Sequence, residues 1–232
     1  MKLVVFGANG PTGRQVTEQA IAEGHTVTAV TRRPDAFPLK DPRLQVVGAD
    51  VQDPAAVEQA VAGQDAVISA LGVPYSRDPV TVYSEGITHI TQAMTKQGVR
   101  RLVCVTSTVL FGVAAPGEGL FFRKVLEPFL VRFVGRTVYD DMRRLEEIVR
   151  ESDRDWTVIR PGGLFDTTAV SHYQIADTRL PGRYTSRADL ANALLRQAVD
   201  GGDVRTFVDV RTTEGTPSFI DLLRKEAVGS KK

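Results

Sequence analysis

Three glycines stand three residues apart in the stretch LVVFGANGPTGRQV, at Gly7, Gly10 and Gly13, with an apolar run before them and a helical pattern after. Their spacing suits a phosphorylated ligand. Gly7 lets the chain turn sharply off a strand, Gly10 lets backbone approach a bulky anion, and Gly13 lets a helix start close against the sheet. Free N–H groups at that helix start, together with its dipole, favour a pyrophosphate, and Thr12 adds a hydroxyl donor at the same place. A plain structural turn is the competing reading; the strand before, the helix after and the place at the head of an alternating chain favour the ligand. Arg32 and Arg33 follow the second apolar run. A dinucleotide fold that uses NAD commonly places an acid there on the ribose 2′-hydroxyl, whereas two guanidinium groups take a 2′-phosphate bidentately and stack on adenine. The pair points to NADP(H), with solvated loop arginines as the alternative.

The elements that must position these groups are legible as apolar runs of strand length separated by helical patterns. Strands are expected near Lys2 to Phe6, Thr26 to Val30, Leu44 to Val47, Ala66 to Ser69, Arg101 to Thr106, Trp156 to Arg160 and Thr206 to Val210. Helices are expected over Gly13 to Glu23, Pro54 to Ala62, Tyr83 to Gln97, Val138 to Glu151 and Arg187 to Asp200. The runs are continuous rather than alternating, as in strands buried on both faces, so the pattern predicts an α/β fold with a doubly wound parallel sheet. No repeat or linker divides the chain. We expect a single domain over 1–228, with small substrate-covering insertions at about 108–137 and 163–186 and a frayed tail at 229–232.

Composition narrows the partners. The chain has 232 residues, 42% hydrophobic and 25% charged, which suits one domain with a sizeable core. Its 29 basic and 28 acidic residues leave a net charge of +1, which gives no footprint for nucleic acid or an anionic membrane. The apolar stretch at the start is too short for a signal peptide and no run approaches a membrane span, so the expected location is cytoplasmic. Cys104 is the only cysteine. It excludes an intrachain disulfide, reads as a buried inert thiol, and no metal-ligand spacing is present. His25 and His89 read as surface residues.

Taken in order, the segments GANGPTG, TRRP, GADVQD, SALG, VTST, VYDDMRRLEEIVRESDRDWTVIRPGG and SRADLANALL span almost the whole chain. The sequence resembles the atypical short-chain dehydrogenases/reductases with an NmrA-like NAD(P)-binding domain, including proteins similar to biliverdin-IXβ reductase/flavin reductase. The resemblance implies a Rossmann fold and adds Asn9 and Pro11 to the cofactor loop. It also implies Asp50 and Val51 at the adenine edge, with a turn-capping aspartate as the other reading of Asp50. Ala70, Leu71 and Gly72 are expected to lie at the ribose and phosphates, in the crevice where strand order reverses. Thr106 belongs to the same implied site, as do Pro161 and Gly162 beside the nicotinamide.

Typical members of the group reduce carbonyls with a serine, a tyrosine and a lysine four residues after the tyrosine. Ser107 matches the serine, and a plain turn serine is the equal alternative. Counting from Tyr139, however, the lysine position holds Arg143, and aligning through VRESDRDWTVIRP instead places Met142 where relatives carry lysine or histidine. Arginine keeps its proton and cannot carry one. Ser107 and Tyr139 are therefore the candidate catalytic residues, Tyr139 otherwise being an ordinary residue near a helix start. Hydride transfer to an isolated ketone demands a positioned acid, whereas a flavin, tetrapyrrole or quinone spreads the charge and takes its proton from water. An NADPH-dependent reductase of a flat conjugated acceptor is the reading that follows. A non-catalytic NADP(H)-binding redox-sensing regulator of the NmrA kind is the alternative, and an extended enzyme acting on sugar nucleotides is the weakest.

Two insertions are expected to wall the acceptor site. In GEGLFFRKVLEPFLVRFVGR, Phe122, Leu126, Phe129, Leu130 and Phe133 share a face at helical spacing, which reads as a lid or as a subunit contact in a homodimer before it reads as a membrane-surface helix. A monomer is the other state allowed. The second wall includes HYQI at 172–175, with His172 as a substrate contact.

Overall fold

The computed structural model describes residues 1–75, 78–112 and 135–217. Among the described residues there are ten strands: β1 (Lys2–Phe6), β2 (Thr26–Thr31), β3 (Leu44–Gly48), β4 (Ala66–Ser69), β5 (Arg101–Val105), β6 (Asp155–Pro161), β7 (Gly163–Phe165), β8 (Tyr173–Ala176), β9 (Tyr184–Ser186) and β10 (Thr206–Thr212). The α-helices among the described residues are α1 (Pro11–Ala22), α2 (Pro54–Val61), α3 (Val82–Gln97), α4 (Arg136–Glu151) and α5 (Arg187–Val199). Eight strands form one sheet in the order β3-β2-β1-β4-β5-β6-β10-β8. Strand order reverses between β1 and β4, which opens a crevice at their C-terminal ends. This is the doubly wound Rossmann arrangement.

The continuous apolar strands feed two cores, one on each face. Val4 and Phe6 of β1 join Val67, Leu102 and Val158 under α2, α3 and α4. Leu3 and Val5 point the other way, with Ile68, Val103 and Ile159, under α1 and α5. Cys104 is fully buried in the first of these clusters, and burial pushes its thiol far up, so it stays protonated and inert.

Local capping explains where the helices begin. Asp53 accepts the Ala55 and Ala56 N–H groups at 3.0 and 3.2 Å and precedes Pro54, a good first residue for α2. Ser186 caps α5 by accepting the Asp189 N–H at 3.0 Å. Helix α3 has no cap of its own at Thr81. Its end is capped from a distance by the buried carboxylate of Asp141 on α4, which accepts the Tyr83 N–H at 2.8 Å and the Ser84 N–H at 3.4 Å.

Several expectations need correction. The sheet is not wholly parallel, because β8 pairs antiparallel with β10. HYQI belongs to this edge strand rather than to a pocket wall: Tyr173 and Ile175 pack on the core while Gln174 faces out, a short alternation that marks a half-buried strand. His172 itself is exposed, and its carbonyl accepts from the Thr213 N–H at 2.9 Å and hydroxyl at 2.8 Å. β7 and β9 form a separate parallel pair within 163–186. His25 and His89 are half-buried, and His89 Nδ1 lies 2.9 Å from the Val51 carbonyl. The phenylalanine stripe at 121–134 and the tail at 229–232 lie outside the described residues. Among the described residues no helix is long and apolar enough to cross a membrane.

Candidate active site

A cleft of about 1050 Å³ opens at the crevice and runs from the β2 end to the β6 end. Its size and its backbone walls suit a dinucleotide with room beside it. Gly7 turns off β1 at φ +73°, and a Cβ there would stand 2.6 Å from the Ala70 carbonyl oxygen. Gly13 is pressed against the same turn: its Cβ would lie 2.3 Å from the Gly7 oxygen. It therefore works beneath the loop rather than on the cleft surface, letting α1 start close to the sheet. Gly10 caps α1 without any side-chain hydrogen bond, and Pro11 fills the first turn. Backbone N–H groups of that turn are thus left to an anion, which is the fit a pyrophosphate requires.

The remaining loop residues divide between ligand face and scaffold. Asn9, Gly10, Pro11 and Thr12 line the cleft, and Asn9 Oδ1 accepts from Arg14 at 3.0 and 2.6 Å, which stiffens the turn. Arg32 and Arg33 are exposed on the cleft rim after β2. Asp50 lines the cleft and also caps a turn, accepting the Gln52 N–H at 3.0 Å, as the turn-capping reading expects. Val51, Ala70, Leu71 and Gly72 line the floor between β3 and β4. Pro161 and Gly162 line the far end.

Ser107 is placed in the same way. It faces the cleft and caps the 3-10 turn Thr108–Phe111, its Oγ accepting the Val109 N–H at 3.4 Å. Thr106 lines the cleft beside it while its hydroxyl donates to Glu146 Oε1 at 2.7 Å. Tyr139, Met142 and Glu146 fall on one face of α4 at i, i+3 and i+7, and the first two line the cleft. The Tyr139 hydroxyl lies 2.9 Å from that of Tyr75. Arg143 is directed elsewhere, donating to Asp140 at 2.6 Å. Among the described residues, no lysine or histidine lines the cleft.

Sequence reasoning missed three supports. Arg160 of β6 and Glu146 form a buried ion pair through two contacts, of 2.6 and 2.9 Å. The Arg160 guanidinium sits over the rings of Phe111 and Phe207, at 4.5 and 4.2 Å from their centroids. A charge on the otherwise apolar faces of both elements was the available signal. Second, Tyr83 accepts the Val73 N–H at 3.2 Å and so holds the loop after β4; burial raises its phenol to about 12, which keeps it neutral. Third, Arg179, Arg183, Arg187 and Arg211 line the wall near β6. Among the described residues no cluster of His, Cys, Asp or Glu could hold a metal.

Comparison with known proteins agrees with this geometry. The model of an NAD(P)H-binding family matches residues 7–200. An uncharacterized chloroplastic protein of Arabidopsis thaliana is 33% identical over 173 residues, covering 70% of this chain and 59% of that protein. The (4-alkanoyl-5-oxo-2,5-dihydrofuran-3-yl)methyl phosphate reductase of Streptomyces griseus is 28% identical over 166 residues, covering 72% of this chain and 49% of its own length. The chain thus spans about half to three-fifths of these two relatives. A short-chain dehydrogenase/reductase of Veillonella parvula in complex with NADP superposes with a TM-score of 0.77 at 19% identity, over 94% of this chain and 99% of that one, and shares the fold. With its crevice, its bare glycine loop and a family match over most of its length, the chain belongs to the NAD(P)H-binding family.

Proposed function

We propose that the protein is an NADPH-dependent reductase that passes hydride to a flat conjugated acceptor such as a flavin, tetrapyrrole or quinone. The observation that carries this reading is the makeup of the cleft beside Tyr139: Met142, Leu71, Val73 and Val109 line it, and no lysine or histidine does so among the described residues. Reduction of an isolated ketone leaves a localised alkoxide that needs an acid within hydrogen-bond reach. A conjugated acceptor spreads that charge, so orientation against an apolar wall suffices and water delivers the proton.

In this reading the loop from Gly7 to Gly13 and the start of α1 hold the pyrophosphate, and Arg32 and Arg33 take the 2′-phosphate. Asp50 and Val51 meet the adenine edge, Ala70 to Gly72 the ribose, and Thr106, Pro161 and Gly162 the nicotinamide side. When bound, the cofactor supplies the hydride. Ser107 orients an acceptor oxygen, and Tyr139 packs against the acceptor ring. The reductase relative supports the class of acceptor, because its named substrate is a ring alkene conjugated to two carbonyls.

The test is loss of NADPH absorbance by the purified protein with FMN, riboflavin, a biliverdin and two quinones, with NADH in parallel. Turnover with a conjugated acceptor and a preference for NADPH are expected. NADPH binding without turnover on any of them would overturn the reductase reading in favour of a redox-sensing regulator, the reading that Met142 also suits.

A further inference from the structure

We propose that Tyr75 is the stacking platform for the acceptor, and that it forms with Tyr139 a corner that selects a flat ring system. The inference rests on the reductase reading and deepens it by naming the residue that grips the acceptor. Four large hydrophobic side chains are exposed among the described residues: Met1, Tyr75, Val170 and Val204. Tyr75 is the most exposed of them, at 59%, and it is the one that lines the cleft. An aromatic ring left bare in a cleft marks a place for a ligand.

Exposed side chains on loops ordinarily change rotamer freely, but this one is held. Its hydroxyl lies 2.9 Å from that of Tyr139, and the two ring centroids are 6.1 Å apart with the rings tilted by 56°. Gly135, just before α4, gives the rings their room: a Cβ there would stand 2.9 Å from Tyr75 Cε1 and nearer still to the Tyr139 ring. Two residues back along the loop, the Val73 N–H donates to the Tyr83 hydroxyl at 3.2 Å, and Pro74 stiffens the backbone between. The ring is thus tied through its hydroxyl to α4 and through its loop to α3. A platform held in this way loses little freedom when a ligand lands on it, which favours binding.

Position and angle define what fits. Tyr75 follows Gly72 by three residues, within about 10 Å of chain, so it stands close to the segment assigned to the ribose. Rings tilted by 56° cannot both lie flat on one plane. A planar acceptor stacked on Tyr75, the more open of the two, turns its edge toward Tyr139, which is 8% exposed. Offset stacking and edge contact are the two favoured aromatic arrangements, and the Met142 thioether beside Tyr139 suits a ring edge as well. A small aliphatic ketone has no face to stack and gains nothing from this corner, whereas a flavin or a naphthoquinone gains from both of its walls.

Equilibrium dialysis of riboflavin and of menadione against the NADP⁺-loaded protein tests the platform in wild type, Tyr75→Leu and Tyr75→Phe. Leucine is apolar without a ring face, and phenylalanine restores the face without the hydroxyl. Tyr75→Leu is expected to weaken the binding of at least one probe about fivefold or more, and Tyr75→Phe to recover most of that loss. The Kd for NADPH is expected to change by less than about twofold in either variant. Wild-type affinity for both probes in Tyr75→Leu would overturn the platform while leaving the reductase reading intact. Binding by Tyr75→Phe as weak as by Tyr75→Leu would overturn it too, by assigning the effect to the hydroxyl contact with Tyr139, and so would a matching rise in the Kd for NADPH. Steady-state NADPH oxidation separates the two proposals: ring-dependent binding without turnover would uphold the platform and sink the reductase. Binding of neither probe by wild type would sink both.

Discussion

Glu146 of α4 and Arg160 of β6 form a buried ion pair, with Thr106 of the cleft bonded to the same carboxylate. The pair locks the helix that carries Tyr139 and Met142 against the strand that ends at Pro161. Removing one partner leaves the other charge buried, which costs about 3–5 kcal/mol, whereas replacing both by apolar groups of similar volume is often neutral. Glu146→Gln is expected to lower the thermal midpoint by roughly 6–20 °C at about 2–4 °C per kcal/mol, and Glu146→Leu/Arg160→Met to restore most of it. Calorimetry of the three proteins decides; a double variant as unstable as the single one would show that the pair is worth more than its desolvation cost.

The glycine loop separates folding from binding. Gly13→Ala drives a methyl into the Gly7 carbonyl at 2.3 Å, whereas at Gly10 the nearest atom is 3.2 Å away. Gly13→Ala is expected to lower stability by 2 kcal/mol or more, of the order seen for overpacked sites at about 1–3 kcal/mol. Gly10→Ala is expected to keep its midpoint within a few degrees and to weaken NADPH binding at least fivefold, measured by titration of cofactor fluorescence.

Much of this architecture was legible in the sequence. Every strand of β1 to β6 and β10 was expected within two residues of its end, because all but the edge strand β3 are largely buried on both faces and read as mostly apolar runs. β7, β8 and β9 were not, being three or four residues long with polar residues between them. The glycine loop was readable because local spacing alone builds it. The Glu146–Arg160 pair and the Asp141 cap on α3 join residues 14 and 57–58 apart in sequence, and no single segment carries the pattern of both partners. Ser107 and Asp50 were each given two alternative roles, and the structure shows capping and a place on the cleft in the same residue.

The proposed preference for NADPH rests on Arg32 and Arg33. Both sit on the cleft rim in solvent, where a charge-assisted hydrogen bond is worth about 1.5–3 kcal/mol. Arg32→Ala/Arg33→Ala is expected to raise the Kd for NADPH about 10–100-fold and to change that for NADH less than threefold. Equal weakening of both cofactors would place the 2′-phosphate elsewhere.

Acid should loosen the fold through its surface pairs. Hydrogen bonds from Arg100 to Asp155, from Lys96 to Glu58 and from Arg43 to Asp41 hold these carboxyls below their ordinary range. A carboxyl lowered by folding adds stability above its unfolded value and loses it as pH falls through the lower folded value. The thermal midpoint is expected to drop as pH falls below about 4.5, the unfolded carboxyl range, and to drop less in 1 M salt, where screening acts within about 3 Å. A midpoint that holds steady or rises over that range would mean that these pairs do not couple to folding.

A reduction that needs no positioned acid asks no proton of Tyr139. Its hydroxyl meets that of Tyr75 at 2.9 Å, with Met142 beside it in the cleft. The measurement is NADPH oxidation with menadione by wild type and Tyr139→Phe side by side. Rates within about threefold of each other are expected; a loss of about a hundredfold or more, the usual worth of a general acid, would make Tyr139 the proton donor and overturn acid-free reduction.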